Sequence, residues 1–334
     1  MSTGGIQLAQ GRGLHRFAVA LAGLVVLLIA AGALVKSKEA GLSVPDWPLS
    51  YGSLNPPRWW TLENVRAEHG HRLIAGTVAL LTMLLAFQFR RRETRPWVRR
   101  IAYLAVAAVF AQAALGGITV LLFLPTAVSV GHAALAQLFL CLVVTLAIVT
   151  SKVWLRADFT LQRMPARRRA ARLAAALTGT VYLQILLGAV MRHTGAGLAI
   201  PDFPLVFGGL VPPVFSEGVA IHYAHRLGAL LALVLVIALV WQVLRRFRDE
   251  RGLVLPAVTL AFLVALQIGL GGAVVLSGRA VVPNTVHVAV GALVLANSLT
   301  LTLCAWRGVR LLARESSPSA IERPEPLELH EAAS

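Results

Sequence analysis

Four of the nine histidines in this 334-residue chain form two pairs that repeat: His71 recurs as His225, and His132 as His287, at separations of 154 and 155 residues. A neutral imidazole presents one nitrogen lone pair, so histidines paired in this way point to a bound transition metal. Two histidines meeting from facing helices of a bundle can clamp a haem iron from both sides of the macrocycle. A zinc site would need three or four converging nitrogen, sulfur or carboxylate ligands, and each half offers two repeat histidines with no thiolate beside them. The competing reading is a set of histidines that hydrogen-bond neighbouring helices.

Other polar groups flank the histidines. Glu68 lies three residues before His71, which puts both on one face of a helix. The matching position in the second half is His222, three before His225. A carboxylate beside a macrocycle edge could take up a proton or stabilise developing positive charge; the plain alternative is a surface carboxylate paired with Arg66 or Arg72. Arg72 and Arg226 follow directly and could pair with haem propionates, or serve as interface anchors. His69, two residues from His71, points elsewhere and is read as a non-ligand. Gly131, Gly228 and Gly291 lie near the histidines, where small residues admit either a flat macrocycle or a close neighbouring helix.

The elements that carry these residues are apolar. The chain is 57% hydrophobic and 14% charged, where a soluble domain has about a quarter charged residues. Ile101 to Ser151 is a charge-free run of 51 residues broken by Pro125, too long for one membrane crossing and right for two. Spans are expected at 15–36, 66–89, 100–122, 126–150, 170–192, 218–244, 253–277 and 283–306. A net charge of +16 might suggest nucleic acid, but the basic residues gather in every second connection, at 90–100, 152–172, 245–251 and 307–314. That is the positive-inside pattern, so nucleic acid is excluded as a partner, the lipid bilayer is the expected surrounding, and both termini are expected in the cytoplasm. Inside a membrane, ionisable groups are usually functional, which favours the ligand reading of the four histidines.

Cys141 and Cys304 both fall in apolar spans, and there is no CxxCH motif, so covalent haem attachment is excluded. The first apolar block is too long for a secretory h-region and reads as a retained helix. The segment 311–334 is polar, rich in Glu and Pro, and expected to be disordered.

An internal repeat organises the whole. Pro45-Asp46-Trp47-Pro48-Leu49 recurs as Pro201-Asp202-Phe203-Pro204-Leu205, and His71-Arg72-Leu73 as His225-Arg226-Leu227. Gln112 followed by Leu115-Gly116-Gly117 recurs as Gln267 followed by Leu270-Gly271-Gly272. Each half holds four spans, an even number, so the repeat is parallel, about an axis along the membrane normal. The expected fold is an all-α integral membrane protein: eight transmembrane helices in two pseudo-twofold-related four-helix bundles, residues 1–155 and 156–310. The long connections 37–65 and 193–217, rich in aromatics, prolines and glycines, are expected to cover the histidine sites as lids, with Asp46 and Asp202 bracing them.

On these residues the chain resembles the haem A synthase family. Gly41-Leu42-Ser43-Val44-Pro45-Asp46-Trp47-Pro48, Glu68-His69-Gly70-His71-Arg72, His132, His225-Arg226 and His287 carry the match, over about residues 15–306. The resemblance implies oxidation of the C8 methyl of haem O to a formyl group by successive hydroxylations with water-derived oxygen. It implies that His71 and His132, with Arg72, hold the substrate haem O, and that His225 and His287, with Arg226, hold a haem b cofactor. Glu68 matches the family's catalytic glutamate. A haem O synthase and terminal oxidase subunits are the implied partners, and a bacterial cytoplasmic membrane the implied location. Many bacterial members carry a cysteine pair in the first outer loop; here Lys36 to Trp60 contains none, which removes any thiol relay there. The sequence leaves open the electron acceptor and whether the chain forms a homo-oligomer.

Two other functions compete. One is a b-type electron-transfer cytochrome with two haems and no haem-modifying activity, against which Glu68 and the lid motifs argue. The other is a transporter with a parallel repeat, which would be expected to show broken mid-membrane helices and central charged pairs.

Overall fold

A computed structural model describes residues 3–155 and 163–315, with side chains described for 12–155 and 163–309. Eight long helices form the body: α1 (Thr3–Ser37), α2 (Glu63–Arg92), α3 (Pro96–Leu121), α4 (Thr126–Val149), α5 (Met164–His193), α6 (Glu217–Arg246), α7 (Arg251–Leu276) and α8 (Val281–Glu315). All eight are long and apolar enough to cross a membrane. Each expected span lies within its helix to within one residue. The helices run further at their basic ends, α2 through Arg90, Arg91 and Arg92 and α5 from Met164 through Arg167, Arg168 and Arg169, because arginine lowers hydropathy while keeping high helix propensity. The expected disordered tail lies almost wholly outside the described residues.

In the first half α1 packs on α2, α2 on α3, α3 on α4 and α4 on α1, closing a ring; α5, α6, α7 and α8 close a second ring in the same order. The rings meet where α1 and α4 touch α8 and α4 touches α5. Each has its own apolar core, Leu85, Phe89, Phe139 and Leu140 in the first and Leu177, Leu239, Phe247 and Leu260 in the second. Ala292 of α8 belongs to the first core, which stitches the halves together. Large apolar side chains such as Leu80, Phe110, Leu231 and Phe262 face outward, as a lipid-facing surface requires.

Candidate haem sites

The repeat histidines occupy equivalent points on their helices. His71 and His225 are each the eighth residue after the first of α2 and α6, and His132 and His287 the sixth after the first of α4 and α8. In each ring the two histidine-bearing helices stand at opposite corners. His71 and His132 lie within electrostatic reach of one another, as do His225 and His287. The structure thus brings the four candidates together two by two, across each bundle.

Every one of these rings sits against a glycine of the neighbouring helix. A Cβ on Gly32 would lie 3.0 Å from His71 Cε1, on Gly116 2.9 Å from His132 Cε1, on Gly188 3.0 Å from His225 Cε1, and on Gly271 3.3 Å from His287 Cε1. Carbon atoms settle at about 3.5–4.0 Å, so any larger residue would have to push the ring from its seat. The main-chain carbonyl four residues earlier, of Leu28, Gln112, Gln184 or Gln267, faces the same ring. Gly131, Gly228 and Gly291 have other neighbours. A Cβ on Gly131 would meet only Leu115, while Gly228 makes room for the Gln184 amide and Gly291 for that of Gln267. Both amides hydrogen-bond the histidines.

The residues fit a haem held by two histidines in each half. The Nδ1 atoms of His71, His132 and His287 are buried without a hydrogen-bond partner, whereas buried polar atoms are nearly always paired. The glycine seats keep the rings against the helix backbone. Among the described residues no three His, Cys, Asp or Glu side chains converge, so a zinc site of the usual composition is not formed.

The two long connections fold as matching caps. Asp46 accepts the main-chain N–H of Tyr51 and Gly52 at 2.7 and 2.8 Å, and Asp202 those of Phe207 and Gly208 at 2.9 and 2.8 Å. These bonds hold turns in which Tyr51 and Gly52, and again Phe207 and Gly208, adopt positive φ. Donation from Gly52 and Gly208 foremost holds both carboxyls below their ordinary range. The caps plug into the second glycine of each pair: a Cβ on Gly117 would stand 2.5 Å from the Trp47 ring, and one on Gly272 2.7 Å from Phe203. Gly116-Gly117 therefore seats a histidine with one residue and a lid aromatic with the next, and Gly271-Gly272 does the same.

Arg72 and Arg226 are turned into these caps. Arg72 donates to the carbonyls of Val44, Asp46 and Leu49 at 2.7–2.9 Å and pairs with Glu68 at 2.8 Å. Arg226 donates to Ile200, Asp202 and Leu205 at 2.6–3.3 Å. Both act as lid braces in this structure. Glu68 is 4% exposed and is the only buried acid among the described residues. Its Oε2 accepts the Val44 N–H at 2.9 Å. His69 Nδ1 lies 2.9 Å from Ser50 Oγ, with Trp59 against its ring, so it docks the lid.

Two residues escaped the sequence reading. Arg192 donates to the Ala33 carbonyl and to Ser37 Oγ at 2.6 and 2.8 Å, tying α5 to α1 across the seam. His193 comes within electrostatic reach of His132 in the opposite half. The available signal was a basic residue at both matched positions, Lys36 and Arg192, at the repeat spacing.

A family model described as cytochrome oxidase assembly protein matches residues 6–144 and again 68–299. The heme A synthase of Shouchella clausii is 33% identical over 285 residues, covering 80% of this chain and 89% of that protein. That of Symbiobacterium thermophilum is 34% identical over 263 residues, covering 76% and 83%. That of Halalkalibacterium halodurans is 31% identical over 288 residues, covering 84% and 91%. Identity at this level along most of both lengths, with the family model spanning both halves of the repeat, establishes that the chain belongs to the haem A synthase family of cytochrome oxidase assembly proteins.

Proposed function

We propose that this membrane protein converts haem O to haem A, oxidising the C8 methyl to a formyl group by successive hydroxylations with oxygen from water. Substrate haem O occupies the first half between His71 and His132, and a resident haem b the second between His225 and His287. The observation that carries this assignment of halves is the exchange of Glu68 for His222 within otherwise matching sites. His225 and His287 would hold haem b, which when bound would supply a one-electron carrier.

The chain's own groups do the rest. His71 and His132 orient the substrate from opposite corners of the bundle. Trp47, seated on Gly117, and the Arg72 network close the outer end. Glu68 is the catalytic group in this reading: it takes protons released as the methyl is oxidised, and Arg72 stabilises its carboxylate between transfers. The caps and both long connections face outward, the basic connections and both termini face the cytoplasm of a bacterial inner membrane, and the halves are related by an axis along the membrane normal. Arg72 and Arg226, at the caps, would also present their charge to the propionates. Haem O synthase and terminal oxidase subunits are the proposed partners.

Pigment extraction from purified protein, expressed in cells that make haem O, tests the reading. Haem O or haem A beside haem b supports it. Haem b alone in both halves would make the protein a two-haem electron-transfer cytochrome, and no haem would remove both readings.

A further inference from the structure

We propose that the four histidines are graded: Gln112, Gln184 and Gln267 position three of them, while His71, which has Leu28 at the matching position, is the weaker ligand through which substrate haem is exchanged. This rests on the assignment of the two halves given above.

Gln112 Nε2 lies 3.2 Å from His132 Nε2 and donates to the His132 carbonyl at 3.0 Å. Gln184 Nε2 lies 3.1 Å from His225 Nδ1 and donates to the His225 carbonyl at 2.6 Å. Gln267 Nε2 lies 3.3 Å from His287 Nε2. Each glutamine is four residues before the glycine that seats its histidine. The residue four before Gly32, the seat of His71, is Leu28.

The exchange extends to the partner position. Gly228, one turn beyond His225, leaves the space that the Gln184 amide fills. Its counterpart one turn beyond His71 is Ile74, and both Leu28 and Ile74 pack against the apolar core of the first half. An amide and the glycine that admits it have together been replaced by hydrocarbon.

A metal-bound imidazole normally donates its second N–H to an oxygen, which fixes the ring and makes it a stronger ligand. His132 Nδ1 and Gln112 Oε1 are both buried without partners, and so are His287 Nδ1 and Gln267 Oε1. In each pair the ring and the amide are already in contact, so a side-chain oxygen able to accept such an N–H stands beside the histidine. His71 shares with the other three the main-chain carbonyl of the residue four before its seat, here Leu28, but among the described residues no side-chain amide joins it or ties α1 to the main chain of α2 at the ligand. The cofactor half has two braced ligands and must retain its haem. The substrate half has one ligand braced by an amide and one without, and must release its haem once per turnover.

The test exchanges the environments and follows haem transfer from the purified holoprotein to excess apomyoglobin, with the low-spin EPR spectrum and midpoint potential of haem b. Gln184→Met keeps side-chain length without the amide. It should speed loss of haem b about tenfold or more and shift both signals. Leu28→Gln with Ile74→Gly should slow loss of substrate haem by a similar factor and leave haem b unchanged. Should the double variant fail to fold, Leu28→Gln alone must still slow release. Wild-type release rates with unshifted haem b signals in Gln184→Met, or no slowing in the Leu28 variants, would overturn the grading. Wild-type protein that holds no haem would overturn the site assignment itself.

Discussion

Glu68 and His222 hold the same main-chain group in the two halves. Glu68 Oε2 accepts the N–H of Val44 at 2.9 Å, and His222 Nδ1 accepts that of Ile200 at 3.3 Å, each just before the lid proline. A neutral nitrogen is therefore enough to anchor a lid. The carboxylate of the first half brings a negative charge that this architecture does not require, balanced by Arg72 at 2.8 Å.

The first prediction concerns sidedness. Leu54 and Leu210 are 77% and 79% exposed on the two caps, whereas Ser53 is half-buried within a turn. Single cysteines at 54 and 210, in a background lacking Cys141 and Cys304, should react in intact cells with a membrane-impermeant maleimide. Labelling only after the cells are opened would reverse the proposed orientation.

Replacing either ligand of the second half should separate the two sites. His225→Ala or His287→Ala should remove the low-spin haem b spectrum from protein that still folds, while His71→Ala and His132→Ala retain it. A haem b spectrum unchanged in both second-half variants would show that neither histidine holds that haem.

The paired glycines predict two distinguishable defects. Gly117→Ala pushes against Trp47, so it should loosen the first cap with the histidine seat intact. Gly116→Ala pushes against His132, so it should alter haem binding in the first half. Overpacking of this kind costs about 1–3 kcal/mol. Hydrogen exchange across 44–53 and haem content, measured on both variants, should respond in opposite proportion; identical responses would mean the two seats are not separable.

The caps should also answer to acid. Asp46 and Asp202 have folded pKa values depressed below 3.8, chiefly by the N–H groups of Gly52 and Gly208. The bracing they give is fully present above the unfolded value and is lost as pH falls through the lower folded values. Near-UV circular dichroism of the lid aromatics should stay constant from pH 7 to about pH 5 and decay only below about pH 4. Asp46→Ala should show faster exchange of the Tyr51 and Gly52 amides already at pH 7.

The spans and the repeat were legible because lipid demands long uncharged helices, and because the recurring motifs keep near-constant spacing. The histidine pairs were legible for the same reason. The glycine seats were not, since Gly32 and Gly188 look like ordinary small residues of an apolar helix until the fold brings a ring against them. Gln184 was hidden differently: its repeat partner is Leu28, so a search for matching residues passes over it, although the Gln-to-Gly spacing recurs in α3, α5 and α7. The lid contacts of Arg72 and Arg226 were not legible, because sequence shows charge and depth but not the carbonyls that a folded loop turns inward.

The last prediction separates chemistry from anchoring at Glu68. Glu68→His copies the second half, and its imidazole can accept the Val44 N–H as His222 accepts that of Ile200. Glu68→Gln keeps an acceptor oxygen and removes the charge. Both variants should fold with their caps closed and carry haem in both halves. Loss of the ion pair with Arg72 should lower stability by no more than about 3–5 kcal/mol, the range for breaking a buried pair, and by less here because lid carbonyls still accept from the guanidinium. If the carboxylate handles protons during methyl oxidation, neither variant will form haem A from haem O. If Glu68 only anchors the lid, Glu68→His will form haem A at a rate near wild type. Pigment composition of cells supplied with haem O, read beside the haem content of each purified variant, decides between the two. Normal haem A from Glu68→His would leave His71 and His132 as the functional groups of the first half.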